Sequence, residues 1–208
     1  MLLVTVLVTA AALTRPDIDA LLEDVKTTSY PELATTPLTT STLTSSSVFF
    51  ASNFDVGGAA AGDLALVVEL NDAVLDDPPS TLALRAVLAH ELAHSLDYRQ
   101  RFDDDGAAGL AGLLPMLVWP PAEEEVERRT DVVAVARGHG AGLAAYRVWL
   151  SAHVDAAAAA DKRRVYYSPL ELDLLTRLFS ACPSTTAAAI AHPPRDARAI
   201  VALGPSCF

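Results

Sequence analysis

His90-Glu91-Leu92-Ala93-His94 carries residue types at a spacing that can hold a metal ion and put it to use. Side chains at positions i and i+4 of a helix stand one above the other on the same face, so both imidazoles can reach one ion from the same side. Glu91, one residue after the first histidine, can reach a water on that ion and take its proton. A catalytic zinc has three protein ligands and one open position for water. This helix supplies two, and the third must come from elsewhere in the chain.

Glu127 is the best candidate for that third ligand, because Glu127-Arg128-Arg129-Thr130-Asp131 places two carboxylates at i and i+4 on a following helix. Glu127 would bind the ion, and Asp131, one turn on, would accept the N–H of a ligand histidine and fix its tautomer. The expectation is one Zn2+ per chain, held by His90, His94 and Glu127, with Glu91 as general base. An alternative scheme needs Gly three residues and His or Asp six residues after the second histidine. Those positions are Asp97 and Gln100. His139 and His153 are isolated and read as surface or core residues.

The elements that must position these groups follow from the pattern around them. Leu64 to Asn71 is an almost continuous apolar run of strand length, and Val48-Phe49-Phe50-Ala51 reads as a shorter strand. Asp76-Asp77-Pro78-Pro79-Ser80 ends one element and starts the next, with Ser80 as N-cap of a helix predicted from about Thr81 to Arg101. That helix is apolar on most sides, as a buried central helix should be. Asp103-Asp104-Asp105-Gly106 lacks the alternating ligand spacing of a calcium loop and reads as a solvated helix end. Further helices are predicted over Glu123–Arg137, Leu143–Lys162 and Leu170–Cys182. Residues 107–121 are apolar but interrupted by Pro115, which suits core packing. Residues 15–47, Thr- and Ser-rich from Thr27 on, read as an irregular segment before a domain spanning 48–208.

Bulk properties bound the class. The chain has 208 residues, long enough for one domain with a sizeable core. Its 51% apolar and 20% charged residues describe a globular, Ala- and Leu-rich, mainly helical protein, and the strand candidates ahead of the motif helix make it α+β with a small antiparallel or mixed sheet. The net charge of −11 argues against nucleic acid or an anionic membrane as partner. Residues 1–14 hold an apolar run of signal-peptide length with small residues at Ala10-Ala11-Ala12, and the run is too short to span a bilayer. The expectation is therefore an exported protein, periplasmic or secreted, with a cytosolic protein that begins on a β-strand or a buried helix turn as the other reading. Cys182 and Cys207 fit either one disulfide closing a C-terminal loop or two buried thiols.

HELAH followed by ExxxD resembles the gluzincin metallopeptidases. Near the C-terminus, His192-Pro193-Pro194-Arg195-Asp196-Ala197-Arg198 is similar to the HPxxxR stretch of the CaaX-protease-type gluzincins, the group that includes the heat-shock membrane proteases. The resemblance implies a zincin-like minimal peptidase domain and zinc-dependent endopeptidase activity. It also implies that His192 and Arg198 enter the cleft and stabilise the oxyanion, a role that needs fixed donors aimed at developing negative charge. A protein or peptide substrate would lie along strand 64–70 by edge-strand addition. The chain departs from the family in its short gap between His94 and Glu127 and in lacking long membrane-spanning runs. Two alternatives share the metal ligands: a non-proteolytic zinc-binding regulatory module, and an intracellular gluzincin-like protease acting on a transcription regulator.

Overall fold

The structure, a computed structural model, describes residues 13–113 and 119–208. Most of the apolar N-terminal run, and positions 114–118 of the apolar 107–121 segment, lie outside the described residues. Helix α1 (Arg15–Ser29) starts at Thr14, whose N–H donates to the Asp17 carboxylate at 2.9 Å. Its Ile18, Leu22 and Val25 recur at helical spacing and are buried in the core. A 3-10 turn (Pro31–Leu33) leads into strand β1 (Leu38–Leu43). The expectation that 15–47 is irregular is therefore corrected. The strand reads LTTSTL, and its Thr residues are β-branched side chains that favour extended backbone once a partner strand is present. Arg15 ties α1 to that strand's end by donating to the Ser41 carbonyl at 2.9 Å and the Thr42 hydroxyl at 2.9 Å.

Strand β2 (Phe50–Phe54), helix α2 (Val56–Ala60) and strand β3 (Leu66–Asn71) follow, then a single helical turn, α3 (Ala73–Asp76). The sheet order is β1-β3-β2, with β1 parallel and β2 antiparallel to β3. The strand expected to receive substrate is thus the central one. Its hydrogen-bonding positions are filled from both sides, so edge-strand addition along 64–70 is ruled out. Leu66, Val68 and Leu70 alternate along β3 and are buried.

Helix α4 (Thr81–Asp105) carries the motif and runs one turn beyond its expected end. Ser80 caps it by accepting from the Ala83 N–H, and Gly106 at φ +61° ends it, in a conformation that glycine adopts without strain. A short helix, α5 (Ala107–Ala111), precedes α6 (Pro120–Ala134), which is continued by a widened turn (Val135–His139) with Gly138 at φ +91°. The expected single helix over 143–162 is two, α7 (Gly140–His153) and α8 (Ala156–Val165). Asp155 makes the break by accepting from the Ala158 N–H at 2.8 Å, so it starts a new helix instead of continuing the old one. Helix α9 (Pro169–Ala181) is capped by Ser168 and Glu171, and two short helices, α10 (Thr186–Ala191) and α11 (Ala197–Leu203), complete the described chain.

The architecture is mainly helical α+β with a small mixed sheet, as the sequence pattern implies. α4 runs through the middle, packed by α1, β2, α6 and α7. The approach of α7 is close: a Cβ on Gly142 would meet the Leu82 carbonyl oxygen at 2.4 Å, so only glycine fits there. Cys182 and Cys207 are bonded to each other and fasten the C-terminal segment to the end of α9. A loop closed over 25 residues lowers the entropy of the unfolded chain by an amount worth about 3.5 kcal/mol. Among the described residues, no helix is long and apolar enough to cross a membrane.

Candidate metal centre

Crossing of α4 by α6 sets the i, i+4 pair His90/His94 against the i, i+4 pair Glu127/Asp131. The Nε2 atoms of His90 and His94 lie 3.0 and 3.2 Å from the same Glu127 oxygen, Oε2. The ligand atoms offered by the three residues all fall within 4.8 Å of one another. Among the described residues no other group of His, Cys, Asp and Glu converges in this way. Two zinc ligands at about 2.1 Å in tetrahedral arrangement are roughly 3.4 Å apart, so the donor set suits such an ion.

The surroundings orient both rings. Asp131 Oδ1 lies 2.8 Å from His90 Nδ1, and a carboxylate accepts, so Nδ1 holds the proton. Thr130 donates its hydroxyl to the Val126 carbonyl at 2.9 Å and lies 3.3 Å from His94 Nδ1, which leaves its oxygen to accept that N–H. Both Nε2 atoms then face the same anionic oxygen. Atoms so arranged call for a cation between them, a proton or a metal ion.

The charges point the same way. Burial alone would depress the pKa of His90, yet the bonded Asp131 and Glu127 carboxylates lift it to about 10. Burial disfavours ionised Glu127 too, but His94 and His90 hold it well below the usual carboxylate range. Asp131 is fully buried and is kept ionised against that burial by Arg147, which donates to Oδ1 at 2.7 Å, and by His90. Glu91 is 5% exposed and accepts no hydrogen bond from any described residue, and burial raises its pKa. It borders a small cavity with His90, Phe50, Arg147, Lys162 and Tyr166. A buried carboxylate without a partner, facing a cavity beside three convergent ligands, is placed to exchange a proton with whatever enters.

The sequence-predicted residues divide cleanly. His90, Glu91, His94, Glu127 and Asp131 come together. His192 and Arg198 do not join them, and their oxyanion role is corrected. His192 is exposed and lines a separate cavity with Trp119, Glu124 and Arg128, which neither Glu91 nor any of the three ligands borders. Arg198 is exposed on α11. The HPPRDAR segment works through its backbone and its cap. The Pro194 carbonyl accepts from the Tyr167 hydroxyl, the Arg195 carbonyl accepts from Arg128, and Asp196 caps α11. His139 and His153 are engaged elsewhere, with Ser29 and with Asp77 and the Trp149 carbonyl respectively.

Sequence reasoning missed Thr130, Arg147 and Tyr166. The Tyr166 ring sits 5.8 Å from His90, and the Arg147 guanidinium lies 4.0 Å from the Tyr166 ring centre. A signal was available for Arg147, since a lone charge within the apolar stretch Leu143–Leu150 must find a buried partner. Thr130→Val keeps the side-chain shape and removes the acceptor for His94 Nδ1–H. The expected outcome is roughly tenfold weaker metal binding, by competition with a chromophoric chelator, with little change in fold. Unchanged affinity would show that His94 is oriented by packing alone.

Comparisons with protein families, with curated proteins and with solved structures each find no match for this chain. The functional reading therefore stands on the geometry of the site.

Proposed function

We propose that the protein is a zinc-dependent endopeptidase of gluzincin type. The observation that carries this reading is the convergence of His90 Nε2, His94 Nε2 and Glu127 Oε2 beside Glu91, a buried carboxylate with no partner among the described residues. A zinc held by those three residues would act as a Lewis acid that lowers the pKa of a bound water to roughly 7. Glu91 accepts the proton of the attacking water and returns it to the leaving amine. Asp131 and Thr130 keep the His90 and His94 rings in the ligating tautomer, and Arg147 keeps Asp131 ionised in its buried position. A purely structural or regulatory zinc module would give Glu91 no reason to be buried without a partner.

An extended peptide has one open edge near the site. Strand β2 pairs with β3 alone among the described strands, and Phe50 at its start borders the cavity that holds His90 and Glu91. Main-chain pairing along that edge would hold substrate without demanding particular side chains. The Cys182–Cys207 bond supports an oxidising location, periplasmic or secreted.

Purified protein loaded with one equivalent of zinc is expected to hydrolyse an unstructured polypeptide. Activity should be lost on treatment with 1,10-phenanthroline and return with stoichiometric zinc. Absence of cleavage of any polypeptide by the zinc-loaded protein would sink the proteolytic reading.

A further inference from the structure

Lysine is rare in this chain: against 26 acidic residues it has two lysines, Lys26 and Lys162. Lys26 pairs with Glu23. Lys162 does not pair: no carboxylate of a described residue lies within 4 Å of its Nζ, and the sequence of 1–12 and 114–118 holds no acid. Its neighbour Arg164 bonds Asp161 and Glu123, and cations at the end of α8 suit the negative pole of that helix. Lys162 is directed elsewhere. Its ammonium lies 5.5 Å from the centre of the Tyr166 ring, and the side chain borders the cavity that contains His90 and Glu91.

A second cavity of about 130 Å³ meets the first at Arg147, Leu150, Lys162 and Tyr166. Its floor is apolar, from Val154 and Ala159, and its charged wall is Arg147, Lys162 and Arg163. Arg147 is itself 9% exposed and uses one terminal nitrogen on Asp131, while its Nε is buried with no acceptor among the described residues. Two cationic side chains therefore line the same space: one fixed by packing, one on a flexible stem.

The balance of charge says what that space can receive. Glu91, Glu127 and Asp131 are balanced by Arg147, Lys162 and Arg163. A divalent ion on the three ligands turns that balance positive. An anion is then better accepted in the metal-loaded site, and Lys162 is the cation that lines both cavities on a flexible stem.

Resting on the reading of His90, Glu91, His94 and Glu127 as a peptidase centre, we propose that Lys162, backed by Arg147, forms an anion subsite for a substrate carboxylate next to the scissile bond. The carboxylate is either an acidic side chain or a free C-terminus. The apolar floor suits the methylene stem that carries it, and a lysine acts here as a point charge that can follow the group.

The test uses one peptide core made with Glu, Gln or Lys at successive positions, each as free acid and as C-terminal amide. With zinc-loaded protein, the carboxylate-bearing members should be cleaved with at least tenfold higher kcat/KM, mostly through KM. Lys162→Met should bring that ratio to about one, and Lys162→Glu should turn preference toward the Lys peptides. A preference confined to the free acids assigns the C-terminal carboxylate, and one confined to the Glu peptides assigns the side chain. The same peptides are titrated calorimetrically into zinc-loaded Glu91→Gln protein, where no turnover is needed. A carboxylate preference in binding that disappears with Lys162→Met supports the subsite even if no peptide is hydrolysed, and in that case only the proteolytic reading falls. Equal binding of acid and neutral peptides, or a preference that survives Lys162→Met, overturns the proposal.

Discussion

Glu91→Gln is expected to lower peptide hydrolysis by a factor of 10² to 10⁴ or more, with one zinc per chain retained. The substitution keeps volume and shape, which matters at a position only 5% exposed. Glu91 lies outside the set of three convergent ligand atoms, so its loss leaves the donors in place. No described residue donates a hydrogen bond to it, so the amide disrupts no internal bond. What the variant lacks is a group able to take a proton from water and hand it on. Burial pushes the Glu91 pKa up, and the neighbouring imidazoles push it down. The measurements are kcat/KM on an unstructured peptide and zinc content by atomic emission, with circular dichroism to establish the fold. Full turnover in the variant would remove Glu91 from the chemistry and leave the ligands as a binding site alone.

The part of this site that local sequence encodes is the part carried by single helices. Ser80 and the apolar run behind it specify where α4 starts, and HELAH specifies its chemical face. Glu127 and Asp131 are likewise one turn apart whatever the tertiary fold. Relationships between elements are less visible. LTTSTL in β1 reads as a linker by composition, because its Thr and Ser side chains have no helical or alternating apolar pattern; only the pairing with β3 reveals it as a strand. That same pairing moves β3 from the edge to the centre of the sheet. The Ala run after Asp155 hides a helix break, since helix propensity is high on both sides of one capping carboxylate. His192 and Arg198 have the chemistry for an oxyanion site, but a Pro-punctuated loop carries no local information about which face of α6 it meets. Arg147 and Tyr166 reach the centre from α7 and from the residue after α8, and no spacing rule connects them with HELAH.

Glu127→Ala should have the opposite signature to Glu91→Gln: zinc affinity falls by more than the 10- to 100-fold that loss of an outer hydrogen bond costs, and hydrolysis disappears because the metal does. Glu127 is the one anionic member of the ligand set, and its Oε2 faces both Nε2 atoms. Without it, two imidazoles remain on one helix face, with no anionic ligand to hold a divalent ion in a buried position. A direct readout is thermal stability. An ion that binds only the folded chain adds about 4 kcal/mol when present at a thousand times its dissociation constant, so zinc should raise the melting temperature of the wild-type protein markedly. Most of that rise should be absent in Glu127→Ala. Because the Glu127 side chain is largely buried, Glu127→Gln provides the shape control, with volume kept and charge removed. Both variants should fold, with the zinc-induced shift reduced in each. A full shift in Glu127→Gln would mean that the charge is dispensable, and a full shift in Glu127→Ala would transfer the third ligand position to another residue. Paired with Glu91→Gln, the experiment separates the residue that holds the ion from the residue that moves the proton. The two sit on different helices, and one substitution should remove the metal while the other leaves it bound and idle.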